Sequence, residues 1–253
     1  MNARPPLAAV ILAAGQGKRM GSPLAKVLHP VGGRPMVRHV AESARAAGAS
    51  CIVVVVGHQA EAVRAAFGPE EADIRFALQA EQLGTGHAAA AGLAALGRSE
   101  GEVLLLCGDV PLLRPDTLRD LLERRREAGA AAAVLTAVVE NPAGYGRVLR
   151  AAGPESAFLR VVEDADATEE ERRAREINTG TYAFDLPYLA SALPRLKAEN
   201  RQGEYYLPDV LILALREGLA VVAHLVRNAE EALGVNTPQE LNRANTLWKA
   251  RKI

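Results

Sequence analysis

The chain has 253 residues, enough for one large domain or two small ones, and its 49% hydrophobic content supports a substantial core. Lysine plus arginine and aspartate plus glutamate number 30 each, so the formal net charge is zero. This balance gives no support to binding of nucleic acid or of an anionic membrane, and any phosphate site must be a local group of cations.

The cysteines and the opening residues indicate the cellular compartment of the protein. Cys51 and Cys107 adjoin apolar runs and are predicted to be buried reduced thiols, which suits the cytosol. The start, M-N-A-R-P-P, has no apolar core with a cleavage site, and no apolar run reaches the roughly 18 residues of a membrane span. We therefore expect a soluble cytoplasmic protein.

Apolar runs alternate with helical patterns through the first half of the chain. The spacing predicts strands over 7–12, 51–56, 74–79, 103–107 and 131–138, with helices over 35–47, 59–67, 86–96 and 115–128. Strands that are apolar on both faces and separated by helices indicate an α/β fold with a parallel sheet covered on both sides.

After about residue 140 this rhythm loosens. The pattern predicts strands over 145–150, 157–163, 177–184 and 219–225, helices over 186–196, 206–217 and 237–252, and a turn at residues 153–154. The charged segment 165–176 is predicted to be a solvated helix or loop. No repeat of the six-residue β-helix kind is found.

The first strand leads into a glycine-rich loop that cations follow. Glycine lets a phosphate approach backbone N–H groups at the carboxyl end of a strand. The loop therefore predicts a site for nucleotide phosphates, although an ordinary strand-to-helix turn with surface cations remains open from the loop alone. The small residues are Ala13, Ala14, Gly15 and Gly17, and the cations are Lys18, Arg19 and Lys26.

Spacing excludes two better-known phosphate loops. A P-loop needs glycine, four residues, then Gly-Lys-Ser/Thr, but Gly17-Lys18 is followed by arginine, and Leu12 stands at the first glycine position. The dinucleotide fingerprint G-x-G-x-x-G fits Gly15 and Gly17 but has Met20 where close helix packing needs the third glycine.

The motif L-A-A-G-x-G-x-R-M, with a lysine seven residues after Arg19, resembles the sugar-nucleotide nucleotidyltransferases. The similarity is greatest to the uridyltransferase half of the bacterial bifunctional N-acetylglucosamine-1-phosphate enzymes, and it covers nearly the whole chain. It implies a Rossmann-like, mostly parallel mixed sheet with helices on both faces, of the glycosyltransferase-A-like type. It also implies a nucleotidyltransferase domain over 1–236, divided at about 140 into nucleotide-binding and sugar-binding halves, and a C-terminal helix over 237–253.

A second motif, Q-A-E-Q-L-G-T-G-H-A over 79–88, leaves the third strand and opens a helix. Gln79 can donate to and accept from the edge of a base such as uracil. A helix N-cap loop that uses Thr85 is the alternative, and the ten-residue match to the family favours nucleobase and ribose contacts. The resemblance implies these nucleotide-binding residues: Leu12, Ala13, Ala14, Gly15, Gly17, Gln79, Gln82, Gly84 and Thr85.

A magnesium site is predicted from two oxygen-bearing side chains. Asp109, in G-D-V-P, follows the fourth strand, and Asn236 ends G-V-N. Magnesium prefers hard oxygen ligands and completes its octahedron with water and phosphate. The resemblance gives both residues this role, whereas the residues alone favour Asn236 as the N-cap of the last helix, before Thr237 and Pro238.

The looser second half holds the residues that the resemblance assigns to the sugar. A sugar needs acidic and neutral acceptors for its hydroxyls together with a backbone N–H. Taken singly, these residues also suit a glycine turn, an edge-strand charge and a strand-end asparagine, and their order decides between the readings. They are Gly146, Glu163, Asn178, Glu204 and Tyr206.

The implied reaction joins UTP and N-acetylglucosamine-1-phosphate into UDP-N-acetylglucosamine, a precursor of peptidoglycan and lipopolysaccharide, and releases pyrophosphate. Arg19 and the loop amides would hold the pyrophosphate, Lys26 would bridge both substrates, and Mg²⁺ would bind Asp109 and Asn236. A sibling enzyme for another sugar phosphate or NTP, and a non-catalytic sugar-nucleotide sensor, are the alternatives. We expect no nucleic-acid or membrane partner, and a monomer or weak homo-oligomer.

The sequence departs from the usual family pattern at Lys18, Ala25, Cys107 and Pro208, where threonine, proline, tyrosine and threonine are common. Lys18 adds charge to the phosphate loop. Cys107 and Pro208 are nearer the expected substrate contacts, which leaves open the selectivity for an N-acetyl group over a 2-hydroxyl.

Overall fold

A computed structural model describes residues 5–151 and 157–251. The opening residues 1–4, the predicted turn at 153–154 and the end of the predicted last helix at 252 lie outside these ranges. None of the helices within them has both the length and the apolar character needed to span a bilayer. Both cysteines are free, and each is half-buried rather than fully buried.

The strands and helices follow the predicted alternation. The strands are β1 (Leu7–Leu12), β2 (Pro30–Val31), β3 (Arg34–Pro35), β4 (Cys51–Val56), β5 (Ile74–Leu78), β6 (Glu102–Cys107), β7 (Ala132–Val138), β8 (Arg147–Arg150), β9 (Phe158–Val162), β10 (Glu176–Asp185) and β11 (Val221–Leu225). The helices are α1 (Met36–Ala47), α2 (Ala60–Arg64), α3 (Thr85–Leu96), α4 (Pro115–Glu127), α5 (Leu186–Ala192), α6 (Asp209–Arg216) and α7 (Pro238–Ala250).

The main sheet has the order β11-β7-β10-β6-β1-β4-β5, with β8 on β10 and β9 on β8. Its neighbours β6, β1, β4 and β5 are parallel, as are β11 and β7. Strand β10 is antiparallel to both β6 and β7. The prediction of an α/β fold with a mostly parallel mixed sheet is therefore confirmed.

Core packing explains why the strands are apolar throughout. Alternate residues of β1 enter opposite core clusters: Ala9 and Ile11 join one, and Ala8 and Val10 join the other. The first cluster includes residues of α1 and α4, and the second includes residues of α3, α5 and α6. Because helices cover both faces, neither side of β1 has a position for a solvated side chain.

Several predicted boundaries were wrong for local reasons. The helix predicted over 206–217 begins at Asp209. Proline disfavours helical backbone at the residue before it, so Pro208 keeps the preceding residue out of the helix. The segment 165–176 holds a short 3-10 turn, Glu171–Arg173, and its last residue starts β10. Glu176 tolerates that buried position because the Arg150 guanidinium donates to it at 2.8 Å.

The ends of the strands define a common edge. Leu12, which ends β1, is level with Cys107, which ends β6. Because β10 runs in the opposite direction, its early residues come to this same edge, where Gly180 lies against Cys107. Ligands of open α/β sheets bind at the carboxyl ends of parallel strands, so this edge is the expected place for a site.

Candidate active site

Three predicted residues from distant parts of the chain meet at one point. The Lys26 ammonium donates to Asp109 Oδ2 at 2.5 Å and to Asn236 Oδ1 at 2.9 Å. Lys26 starts the 3-10 turn Lys26–Leu28, Asp109 follows β6, and Asn236 precedes α7. The carboxylate and the amide oxygen therefore converge on a single cation.

Backbone contacts fix the two oxygens. The N–H of Val235 donates to the Asp109 carbonyl at 2.9 Å, which ties the two loops together. The N-cap of α7 is Thr237, with a reciprocal capping box to Glu240. The interpretation of Asn236 as the helix N-cap is therefore wrong, and its side chain is directed at Lys26 instead.

The donor set fits a magnesium ion. Asp109 and Asn236 supply one anionic and one neutral hard oxygen, and the lysine ammonium shows that both oxygens can face one cation. Within the described ranges no group of three or more His, Cys, Asp or Glu side chains is clustered for a metal. An ion here would take its remaining ligands from water and phosphate, as Mg²⁺ usually does.

The glycine loop packs closely on the lysine. Gly17 has φ +63°, and a Cβ there would lie 2.5 Å from Lys26 Cβ, so a side chain at 17 would displace the lysine. Gly15 is exposed, with no atom near the place of a Cβ. Arg19 is exposed at the rim, where its guanidinium lies 3.6 Å from the Cβ position of Gly144.

A cavity of about 270 Å³ adjoins the meeting point of Lys26 and Asp109. Gly17 and Arg19 are not among its lining residues. All the other predicted nucleotide-binding residues line it, together with Lys26, Asp109 and Glu204; these are Leu12, Ala13, Ala14, Gly15, Gln79, Gln82, Gly84 and Thr85.

Side-chain amides of the predicted nucleobase-binding loop form hydrogen bonds that fix its conformation. Gln79 Nε2 donates to the Gly84 carbonyl at 3.1 Å, and Gln82 Nε2 donates to the Ala14 carbonyl at 2.8 Å. Gly84 occupies the N-cap position of α3 without a side-chain cap, and Thr85 Oγ1 accepts from the N–H of Leu207 at 3.0 Å. The alternative in which Thr85 caps the helix is therefore wrong.

Three predicted sugar-binding residues lie together. The Glu163 carboxylate is 3.2 Å from the Cβ position of Gly146, whose carbonyl accepts from the Asn178 N–H at 2.8 Å. The Asn178 side chain is engaged internally: it donates to the Tyr182 hydroxyl at 2.7 Å and accepts from the Gly180 N–H at 3.0 Å. It therefore shapes the turn beside Cys107.

Tyr206 and Glu204 line different cavities. The Tyr206 hydroxyl lies 3.0 Å from Asp166 Oδ2 and 2.7 Å from Gln202 Oε1. Together with Glu163 and Pro208 it lines a separate cavity of about 360 Å³. Glu204 lines the nucleotide cavity instead, because it lies in the segment that packs against Gly84.

Residues 9–193 match the family model described as the MobA-like NTP transferase domain. The chain belongs to this family.

Relatives and solved structures agree with that membership. The bifunctional protein GlmU of Geobacter metallireducens is 49% identical over 245 residues, which cover 97% of this chain and 51% of that protein. GlmU of Bacillus cereus is 47% identical over 243 residues, covering 96% and 52%. The chain thus spans about half the length of the curated relatives it matches. These matches confirm the resemblance inferred from the motifs.

A UDP-glucose pyrophosphorylase in complex with UDP-glucose has a TM-score of 0.77 to this chain at 17% identity, covering 97% of this chain and 99% of that one. At this identity the likeness establishes the fold alone, and it confirms the predicted nucleotidyltransferase fold.

The pKa of the Glu163 carboxyl is raised in this NTP transferase domain. Burial raises its pKa from an ordinary value of 4.5 to about 7, and the nearby carboxylates Asp209, Asp166 and Glu204 add to the effect. The side chain therefore changes charge close to neutral pH. Sugar hydroxyls would donate more strongly to the ionised carboxylate than to the neutral acid.

We expect Glu163→Gln to raise stability at pH 8 and to change it little at pH 5. A carboxyl whose pKa is raised by folding stabilises the native state below its ordinary pKa, and this contribution is lost as pH rises through 7. At about 1.4 kcal/mol per pKa unit, the penalty at pH 8 is about 3 kcal/mol. Thermal unfolding of both proteins at the two pH values measures this, and an equal shift at pH 5 and pH 8 would contradict it.

Three residues that support the site were not predicted from the sequence. Gln59 Oε1 accepts from the Ala25 N–H at 2.9 Å, just before Lys26. Tyr145 lines a cavity with Glu240, Gly234 and Val235, and burial raises its pKa to about 12. The T-x-x-E capping-box pattern could have identified Glu240, whereas no short pattern marks the other two.

Proposed function

We propose that this NTP transferase domain transfers the uridylyl group of UTP to N-acetylglucosamine-1-phosphate, giving UDP-N-acetylglucosamine and pyrophosphate. The observation that carries the proposal is the convergence of Lys26, Asp109 and Asn236 beside the cavity lined by the glycine loop and the 79–88 motif. Similarity to GlmU proteins over nearly the whole chain supports this reaction rather than another transfer from an NTP.

The reaction needs no side-chain base. The attacking oxygen of the sugar phosphate is already anionic; it forms a bond to the α-phosphorus, and the bond to the bridging oxygen breaks in line, so its electron pair leaves with pyrophosphate. Burial raises the pKa of Cys107, which lines the cavity, to about 12, and this reaction calls for no thiol nucleophile. Catalysis then consists of positioning and charge neutralisation.

The cations divide this neutralisation between them. Arg19 and the amides of the glycine loop would hold the departing pyrophosphate. Lys26 would bridge phosphates of both substrates, for which its ammonium must move from the Asp109 carboxylate to phosphate oxygens. Asp109 and Asn236 would hold Mg²⁺, which would supply further neutralisation of phosphate charge.

The predicted sugar-binding residues leave one alternative substrate. Pro208 lines the cavity of Glu163 and Tyr206, and proline has no side-chain donor for an acetamido oxygen. This observation favours, as the second candidate, a sibling reaction with a sugar-1-phosphate that carries a 2-hydroxyl. The formal net charge of zero supports small-molecule substrates in either case.

The test measures pyrophosphate release with each NTP against a panel of sugar-1-phosphates, with and without Mg²⁺. We expect the highest kcat/KM with UTP and N-acetylglucosamine-1-phosphate, and loss of turnover in a chelator. A higher value for a 2-hydroxyl sugar would select the sibling reaction. Absence of turnover with every pair, together with measurable sugar-nucleotide binding, would contradict catalysis and support a sensor.

A further inference from the structure

The first turn of α7 forms a hydrogen bond to the backbone of Asn236, which would hold the metal. Glu240 Oε2 accepts from the backbone N–H of Asn236 at 2.7 Å and from that of Thr237 at 2.9 Å. The Asn236 side chain in turn accepts from Lys26 at 2.9 Å. Glu240 is therefore one hydrogen bond away from the backbone of a metal-holding residue.

The second half of α7 contacts the chain that follows the lysine. Asn245 Oδ1 accepts from the Gly32 N–H at 3.0 Å, and its Nδ2 donates to the Pro30 carbonyl at 3.1 Å. The Trp248 indole lies directly against Gly32, so that a side chain at 32 would collide with it. Its ring is also 4.3 Å from that of His39 on α1. These contacts hold the β2–β3 ribbon, residues 30–35, against the helix.

The ribbon follows the turn of Lys26 directly in the chain. The 3-10 turn Lys26–Leu28 ends at His29, whose carbonyl accepts from the Met36 N–H at 3.2 Å across the base of the ribbon. A small apolar cluster, separate from the two large cores, fills the space between ribbon and helix. It comprises Val31, Met36, Leu112, Val235 and Ala244, with Leu241, Leu247 and Trp248 packed against it.

We propose that α7 is a positioning element whose first turn and second half together set the separation between the Lys26 ammonium and the oxygens of Asp109 and Asn236. Glu240 acts on Asn236, and Asn245 acts on Lys26 through the ribbon, so both are positioning residues. This inference rests on the proposed function. Removing a hydrogen-bond partner of a metal ligand typically costs about 10- to 100-fold in metal affinity or activity.

The test compares Glu240→Ala with Glu240→Gln in the full chain. The readouts are Mn²⁺ binding to the protein alone, followed by the electron paramagnetic resonance signal of free Mn²⁺, and kcat and KM for UTP. We expect Glu240→Ala to weaken Mn²⁺ binding and lower kcat about tenfold, with KM for UTP within about twofold because the 79–88 loop is untouched. Glutamine still accepts from both backbone N–H groups and should restore both values.

The chain offers matched controls. Asp185 is the N-cap of α5, where it accepts from the Tyr188 N–H at 3.0 Å. It pairs with Glu102, at the opposite end of β6 from Cys107. Asp185→Ala should lower the unfolding midpoint by an amount similar to that for Glu240→Ala, since loss of a cap costs about 1 kcal/mol, and leave Mn²⁺ binding unchanged. Asn245→Ala should lower kcat without raising KM, whereas exposed Thr246→Ala should change neither.

The outcomes separate the two proposals. If wild type turns over and Glu240→Ala matches Asp185→Ala in Mn²⁺ affinity and kcat, the positioning role of α7 is wrong and the proposed function stands. If Asn245→Ala equals Thr246→Ala, the link through the ribbon is wrong. A wild-type chain that neither binds Mn²⁺ nor releases pyrophosphate overturns the proposed function, and the positioning role with it.

Discussion

Lys26→Ala is expected to lower kcat by at least about 100- to 1000-fold, the typical effect of losing one preorganised charged contact to a transition state. The lysine is the cation that would stabilise phosphates of both substrates, and no other lysine lines the cavity in the described part of the chain. The fold should persist, because the ammonium lies at the edge of the sheet and outside the apolar clusters.

The same variant should bind Mn²⁺ more tightly than wild type. The ammonium engages the Asp109 and Asn236 oxygens at 2.5 Å and 2.9 Å, so a divalent ion has to displace it. Kinetic assays measure the change in kcat, and titration with Mn²⁺ measures the change in binding. Lys26→Arg is a control that keeps the charge. Near-normal turnover in Lys26→Ala, or weaker Mn²⁺ binding, would contradict this role for the lysine.

Asp109→Ala is expected to lose at least as much turnover, about 100- to 1000-fold, for a different reason. It removes the only carboxylate within hydrogen-bond reach of the lysine in the described ranges, and with it the anionic ligand of the proposed metal site. Mn²⁺ binding should therefore fall, in the opposite direction from Lys26→Ala.

Asp109→Asn is the matched control for shape, because it keeps the size of the side chain and removes only the charge. We expect it to lose Mn²⁺ binding as Asp109→Ala does. If Asp109→Asn retains wild-type turnover and Mn²⁺ affinity, the carboxylate charge has no part in catalysis and the assignment of the metal site fails.

Much of the fold could be predicted from the sequence because its signals are local. An apolar run such as Leu7–Leu12 can be a buried strand only when both faces are covered, and alternate residues of β1 do enter two separate cores. Proline and glycine placed the boundaries well where they stand at helix ends, as at Gly48, whose N–H closes α1. Charge misled the prediction at Glu176, where a partner 26 residues away, Arg150, permits burial.

The site was harder to predict because its parts are distant in sequence. Lys26 and Asn236 are 210 residues apart, and only the resemblance to a family could join them before the topology was known. Three features depended on the assembled structure. Lys26 occupies the oxygens expected to hold the metal, and Asn178 turns its amide inward. Burial, with carboxylates from different segments, raises the pKa of Glu163 to about 7.

Transfer of a labelled phosphate distinguishes attack on the α-phosphorus from other reactions of UTP. UTP labelled at the α-phosphate, incubated with N-acetylglucosamine-1-phosphate and Mg²⁺, should place all of its label in UDP-N-acetylglucosamine, while label at the γ-phosphate should appear only in pyrophosphate. Release of the α-label as free UMP, or retention of all label in UTP, would contradict a cleft built for attack on the α-phosphorus.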